Sequence, residues 1–476
     1  MEYWEPSTPP LHYSTRLERK FRSIMSVSCR AGRIRLLFAI VLILSCLPAC
    51  AWGPHTQVTE AALDVIDAND PLVTHLGPSF KQLPAYSWMG DYYRSIRKES
   101  DGSLYYADDY LLFPDHQKHA SHTMPGVMTS LEPYFRRCVQ ALRTETPVNA
   151  ARWLGALLHF TEDAGAPPHA QPGLADHVKM ENWIDKTKIS ISGYKPQLLG
   201  KTEDEAIAAY MKRMAGLVEF SKARAEKMAP LVKADNRPAV EPLGLECANE
   251  CSRVVADLLY TLGRISLSPV PDSVTLRGTI RTKSDTPADS RAAKIVIDGT
   301  NYSTLADPSG KWELRNLPAG QYMGKVYYPG CRMDNFTAKV EPGRTRTINI
   351  LMVTLKPAMN LLRNPDLRVR WKTPGAPDSW LLTKAGWESD MVPVTAGQKY
   401  QLNVRWKHGE KGSAVVRWHG NYSPGLGASQ DEQPVTEAQN DVVFTAPEKM
   451  VAACIIIKTD KPITEVCEAV SFSVVK

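Results

Sequence analysis

Apolar residues recur three and four positions apart in five stretches of the first half of the chain: 56–66, 127–142, 150–161, 206–228 and 251–262. That period gives each stretch one apolar stripe and predicts helices packed on one another. Val148-Asn149 offers a capping residue before the third stretch, and Gly165-Ala166-Pro167-Pro168 stops it. The pattern changes near Ser268. SerProValProAspSer reads as a linker, and short β-rich runs follow at 274–280, 294–297, 311–314, 324–328 and 345–352. Turns at Asp307-Pro308-Ser309-Gly310 and Pro318-Ala319-Gly320 separate them, a spacing that predicts a small β-sandwich. A second break at Leu355-Lys356-Pro357 precedes alternating runs at 400–406, 413–418 and 451–457, which predict another all-β unit. The expected architecture is multidomain: a leader over 1–51, an all-α domain over 52–268, and β-sandwich domains over 274–354 and 359–476. No internal repeat or low-complexity tract interrupts it.

The leader is read from its own pattern. Arg30, Arg33 and Arg35 precede an apolar run over 36–44, too short to span a bilayer but suited to the core of a secretory signal. Ala49-Cys50-Ala51 puts small residues at the −3 and −1 positions, so cleavage after Ala51 would leave Trp52 first. Met25 is a plausible start. An uncleaved anchor and a lipoprotein signal at Leu47-Pro48-Ala49-Cys50 are the rival readings. Export with cleavage is favoured, giving a secreted, periplasmic or cell-surface protein.

Composition changes this picture little. With 43% apolar and 23% charged residues, the 476-residue chain has the means to build large cores, which excludes wholesale disorder. The net charge of +6 misleads, because seven of the 57 Lys/Arg and three of the 51 Asp/Glu precede Trp52. The rest is nearly neutral and gives no strong nucleic-acid signal. Nine cysteines are too sparse for a disulfide scaffold. Cys454 and Cys467 flank an expected strand–turn–strand and are expected to pair. Cys247 and Cys251 lack a histidine cluster and do not read as a zinc site.

Candidate chemistry concentrates between residues 52 and 181. His159 and Asp163 stand four apart on an expected helix, so both face one way. His169 follows the Pro-Pro break, and His177 and Glu181 repeat the four-residue spacing. One such pair is an ordinary helix-surface contact. Two pairs with a further histidine between them suit a divalent cation with nitrogen and oxygen ligands, such as zinc.

WLGALLHFTEDAGAPPHA followed by DHVKMENWID resembles the bacterial zinc-dependent phospholipase C family, related to the fungal single-strand nucleases. The shared pattern is His-x3-Asp-x5-His, a spacer, then His-x3-Glu, together with a mature amino-terminal tryptophan at Trp52. A free α-amine can lose its proton near neutral pH and join a metal, so processing would complete the site. The resemblance implies up to three zinc ions. Trp52, His55 and Asp163 would hold one, and His159, Asp163, Asp91 and a further histidine a second. His169, His177 and Glu181 would hold the third. Asp108 and Asp109 compete with Asp91. The further histidine is His116, His119 or His122, with His122 preferred because the segment after it resembles the family's.

Asp91 and Asp163 are the expected catalytic pair. The implied activity is hydrolysis of phospholipid headgroup esters by metal-activated water. Glu181 in the last ligand position and the near-neutral charge favour phospholipase C, whereas the short Trp-Gly-Pro-His start resembles the nucleases. A non-catalytic, zinc-stabilised surface adhesin is the third reading. Residues 274–354 resemble carboxypeptidase regulatory-like domains through their Asp-Gly and Leu-Pro-x-Gly-x-Tyr turns, which implies a spacer. Residues 359–476 resemble jelly-roll carbohydrate-binding modules. Trp371 belongs to the opening that carries this resemblance, and Trp380, Trp387, Trp406 and Trp418 suggest a carbohydrate or membrane surface as partner, or else core residues.

Overall fold

The computed structural model describes residues 53–92, 95–99, 104–111, 121–267, 271–282, 293–300, 302–307, 309–328, 331–353, 360–367, 377, 379–421, 430–435 and 441–475. The leader, Trp52, His116, His119 and Trp371 lie outside them.

The first half is helical: α1 (His55–Leu63), α2 (Pro71–Leu76), α3 (Leu83–Tyr86), α4 (Met128–Thr144), α5 (Pro147–Gly165), α6 (Pro167–Ala170), α7 (His177–Asn182), α8 (Glu203–Lys233) and α9 (Arg237–Ser266). The five apolar stripes become buried faces, but α8 and α9 run well beyond the periodic stretches. In α8 the extra turn at the start comes from a capping box: the Thr202 hydroxyl accepts the Glu205 N–H, and the Glu205 carboxylate accepts the Thr202 N–H. The expected cap of α5 is corrected. Pro147 opens the helix, and Thr146 caps it by accepting the Asn149 N–H, an arrangement worth about 1 kcal/mol. Asn149 is instead buried, accepting from the Tyr110 hydroxyl and donating to Thr304 Oγ1.

Every residue of α5 from Asn149 to Gly165 is buried. A helix covered on all sides is a core helix, and its apolar residues join the main hydrophobic cluster with α4, α8 and α9. Three of its last turns' side chains, His159, Glu162 and Asp163, are ionisable and wholly buried. Such groups need partners, and the elements around the end of α5 supply them.

A short hairpin, β1 (Ile96–Lys98) with β2 (Leu104–Tyr106), interrupts the helices. Two sandwiches follow. In the first, β3 (Val274–Thr282), β6 (Lys311–Leu317), β9 (Thr345–Thr347) and β10 (Ile350–Met352) form one sheet. The other holds β4 (Lys294–Ile297), β5 (Ser303–Leu305), β7 (Gly320–Tyr327) and β8 (Asp334–Val340). The run expected as one strand over 345–352 is two, each pairing in parallel with β3. In the second, β11 (Trp380–Thr383), β12 (Gly386–Ser389), β13 (Val392–Pro393), β15 (Ser413–His419), β16 (Gln430–Val435) and β18 (Ala452–Lys458) make a six-stranded sheet. It shares a core with β14 (Lys399–Trp406), β17 (Asp441–Thr445) and β19 (Cys467–Val474).

One expectation fails in this second sandwich. Cys454 and Cys467 are not joined in a disulfide. Ile455 and Ile457 of β18 face the shared core, so alternation turns Cys454 to the other face with Val415 and Ile456, while Cys467 points into the core. Trp380, Trp387 and Trp418 are buried as core residues, and Trp406 packs partly buried against the same core.

Residues 51–476 form one compact unit. Buried Asp109, in the 3-10 turn Ala107–Tyr110, accepts from Lys294 Nζ of β4 at 2.7 Å and from Arg363 Nη2 at 2.5 Å. Arg363 lies over the Tyr106 ring and contacts Asp390 at 3.2 Å. One carboxylate thus joins the helical region to both sandwiches, and Ile96 and Tyr106 of the hairpin pack with Met391 and Ala452.

Candidate metal centre

The end of α5 is the hub of the site. Its period puts His159 and Asp163 on one face, and five neighbouring elements bring the rest. His55 opens α1, Asp91 lies in the 3-10 turn Met89–Tyr92, and His122 precedes α4. His169 lies on α6, while His177 and Glu181 open and nearly close α7. The Met89–Tyr92 turn presses against the hub: a Cβ on Gly90 would fall 2.1 Å from His159 Cδ2, so only glycine fits there.

Three groups of donor atoms converge: His55 with Asp91 and His159, His122 with His159 and Asp163, and His169 with His177 and Glu181. Asp163 ties them together. Its Oδ2 lies 2.7 Å from His122 Nδ1 and 3.1 Å from His159 Nε2, and its Oδ1 lies 3.1 Å from His169 Nδ1 and 3.6 Å from His55 Nε2. Asp91 Oδ1 stands 3.9 Å from both His122 Nδ1 and His159 Nε2. In the third group Glu181 Oε1 is 2.8 Å from His177 Nε2 and 3.0 Å from His169 Nε2, and those two nitrogens are 3.1 Å apart. Two donors bound at ~2.1 Å to one tetrahedral cation stand ~3.4 Å apart, so these separations are of the size that a shared ion needs.

The second observation is what these atoms do not do. Asp163 Oδ1, His169 Nδ1, Asp91 Oδ2 and Glu181 Oε2 are buried without a hydrogen-bond partner. Asp163 Oδ1 and His169 Nδ1 are close enough to bond but are not aligned for it. Buried polar atoms left this way are costly unless a cation completes them.

The imidazoles are also oriented from behind. His159 Nδ1 donates to the Ser87 carbonyl at 2.9 Å, which leaves Nε2 as the donor atom toward the centre. Glu162 Oε2 lies 2.6 Å from His55 Nδ1, and its Oε1 accepts from Thr59 at 2.5 Å. This is the carboxylate–histidine pairing that fixes a metal-binding ring. The His55 ring stacks on His159 and meets Trp88 edge-on.

Charge follows the same design. Burial works against an imidazolium at His159, but Asp163 and Asp91 outweigh it and raise the pKa to about 9. His169 is raised against burial to about 10 by Asp163 and Glu181. For Asp163 burial acts upward, and the surrounding imidazoles bring it well below the usual carboxylate range. Burial lowers His55 and raises both Glu162 and Asp91. In the metal-free protein two protons therefore occupy positions that a cation would take.

Of the residues singled out from sequence, His55, Asp91, His122, His159, Asp163, His169, His177 and Glu181 are brought together. The grouping differs in part from the expected one: His55 converges with Asp91 and His159, and Asp163 reaches it at the longer distance of 3.6 Å. Asp109 is taken up by the contact between the sandwiches and does not compete with Asp91. Sequence reasoning passes over Ser87 and Gly90; Glu162 lies within reach of His159 in sequence but is set aside because the motif points to Asp163. The Ser87 carbonyl and the Gly90 approach had no signal in sequence.

Comparison with known proteins adds one family. Residues 275–353, the first sandwich, match the carboxypeptidase regulatory-like domain. No curated protein matches the chain in sequence. Among solved structures, a type II cohesin–X-dockerin complex from Acetivibrio cellulolyticus is 24% identical over 17% of this chain, with a TM-score of 0.15; the match spans 56% of that chain. The alpha-toxin of Clostridium perfringens is 13% identical over 60% of this chain and 93% of its own, TM-score 0.33. The alpha toxin of Clostridium absonum is 13% identical over 61% and 96%, TM-score 0.35. At these scores the likeness fixes neither the fold nor the activity of this chain. No helix among the described residues is long and apolar enough to cross a membrane.

Proposed function

We propose that the chain is an exported zinc-dependent phosphodiesterase of the phospholipase C type, acting on phospholipid headgroup esters. The observation that carries this reading is the pair Asp163 Oδ1 and His169 Nδ1, buried 3.1 Å apart with no hydrogen bond, at the junction of three convergent donor groups. The donors are imidazole nitrogens and carboxylate oxygens, a set that suits zinc. His159, Asp163, His122, His55 and Asp91 would hold ions on one side of His169, and His169, His177 and Glu181 on the other. Trp52 would add its amine and carbonyl beside His55.

Bound zinc supplies Lewis acidity and lowers the pKa of water. The chain's own residues supply the rest. Asp163 sends one oxygen toward each pair of imidazoles and so fixes the spacing of the groups. Ser87 and Glu162 hold two rings in the orientation that presents Nε2. Asp91, partly exposed beside His122 and His159 and raised by burial, would take a proton from water there. The near-neutral chain and Glu181 in the last ligand position favour a lipid diester over a nucleic acid.

The test is turnover of phosphatidylcholine vesicles against single-stranded DNA, before and after chelation. Zinc-dependent release of phosphocholine is the expected result. Preferential DNA cleavage would assign the nuclease reading, and a zinc-loaded chain inert toward both would assign a non-catalytic, zinc-stabilised role.

A further inference from the structure

The segment carrying the third donor group holds three lysines, and two of them are neutralised at once. Lys179 Nζ pairs with Asp235 at 2.8 Å, and Lys188 Nζ pairs with Glu241 at 2.8 Å and Asp185 at 3.3 Å. Lys186 differs. No carboxylate or other acceptor among the described residues reaches its ammonium, although the side chain is half-buried and burial alone lowers its pKa. A cation that bears a desolvation cost without an internal anion is suited to an external one.

Its position says which. A Cβ on buried Gly53 would lie 3.0 Å from Lys186 Nζ and 2.8 Å from Asn182 Oδ1. Gly53 is two residues before His55, and at ~3.6 Å per residue their Cα atoms are at most ~7 Å apart. Asn182 directly follows Glu181. The ammonium therefore sits beside the chain that enters His55 and near the end of α7, next to residues that lie within two positions of His55 and of Glu181, members of two different donor groups.

We propose that Lys186 is an anion-binding residue of this centre, receiving an oxygen of the substrate's phosphate group on the side bounded by Gly53 and Asn182. The inference rests on the phosphodiesterase reading for its substrate class, and the ligand chemistry is the phosphate itself, whether free or in a lipid headgroup. Lys186 would supply a positive charge that the metal groups, already facing Asp91, Asp163 and Glu181, do not supply on that side. A charge-assisted hydrogen bond of this kind is worth roughly 10–100-fold in affinity.

The experiment uses the full zinc-loaded chain and its Lys186→Met and Lys186→Arg variants. Calorimetry reads binding of inorganic phosphate, and turnover is followed on phosphatidylcholine vesicles. Elemental analysis should give the same zinc content in all three. Phosphate binding is expected to weaken about tenfold or more in Lys186→Met and to recover largely in Lys186→Arg, with a matching rise in KM on vesicles. Equal phosphate binding by wild type and Lys186→Met overturns the inference, as does a wild type that binds no phosphate. A loss confined to vesicles overturns it too, because the lysine would then meet the lipid surface and not the phosphate. Weakened phosphate binding in a chain that hydrolyses no diester would sustain Lys186 and reject the phosphodiesterase reading.

Discussion

Asp163 and Glu162 are adjacent acids with different work. Asp163 touches four imidazoles within 3.6 Å, and Glu162 touches one ring from behind. Asp163→Asn should abolish turnover and remove at least one zinc together, measured by activity and elemental analysis on the same sample. Glu162→Gln should keep the donor set but weaken zinc by roughly 10–100-fold in competition with a chelator. Protons give a second handle. Because His159 and His169 are raised to about 9 and about 10 without metal, both carry protons at pH 7 that zinc must displace. Zinc affinity should therefore rise with pH from 6 to 8, with net proton release seen as a buffer-dependent enthalpy in calorimetry. Affinity independent of pH would place the ion elsewhere. His159 with Asp163 and His177 with Glu181 were legible because i, i+4 spacing on a helix is a statement about one face, whereas His55 and Asp91 were reached only through the family resemblance. His122 was legible only as one of three, since a loop residue has no period to place it.

At the scale of elements, the site exists because α5 is buried all round and five flanking pieces close on its last turns. The 3-10 turn Met89–Tyr92 shows the tolerance involved. Its Gly90 lies against the His159 ring with no room for a methyl, so Gly90→Ala should push the imidazole or the turn aside. Overpacking of this kind costs about 1–3 kcal/mol, and here it should also lower zinc content, read by thermal unfolding with and without chelator. A variant with unchanged zinc and stability would mean that the turn sits farther from His159 than described. The sequence announced α1, α4, α5, α8 and α9 through their stripes, since a half-buried helix must repeat near 3.6 residues. It could not announce where α8 and α9 end, because caps and core contacts extend them past the periodic part. The failed pairing of Cys454 with Cys467 has the same origin. Proximity in sequence around a turn does not tell which face of a strand each thiol takes.

Across the whole molecule, the sandwiches are more than appended spacers. Asp109 holds Lys294 of the first and Arg363 of the second, all three nearly without exposure. Nearby, Arg137 bonds Ser303 and Glu145, and Arg315 donates to the Glu145 carbonyl. Removing one member of a buried charge group leaves the others uncompensated, at about 3–5 kcal/mol. Asp109→Ala should lower the melting temperature and split one calorimetric transition into separate ones for the helical and β regions. A single undiminished transition would show that the regions are held by their apolar contacts alone. Such a junction was not legible in sequence. Asp109, Lys294 and Arg363 are far apart in the chain, and Asp109 stood out only as a rival to Asp91.

The central claim is that the helices gather histidines and acids around shared cations, and a zinc count tests it most directly. Elemental analysis of the chain beginning at Trp52, purified without added metal and dialysed, should find more than one zinc per chain, approaching three. A count that stays below one, or that is unchanged when His159, Asp163 and His169 are all replaced by alanine, would contradict it.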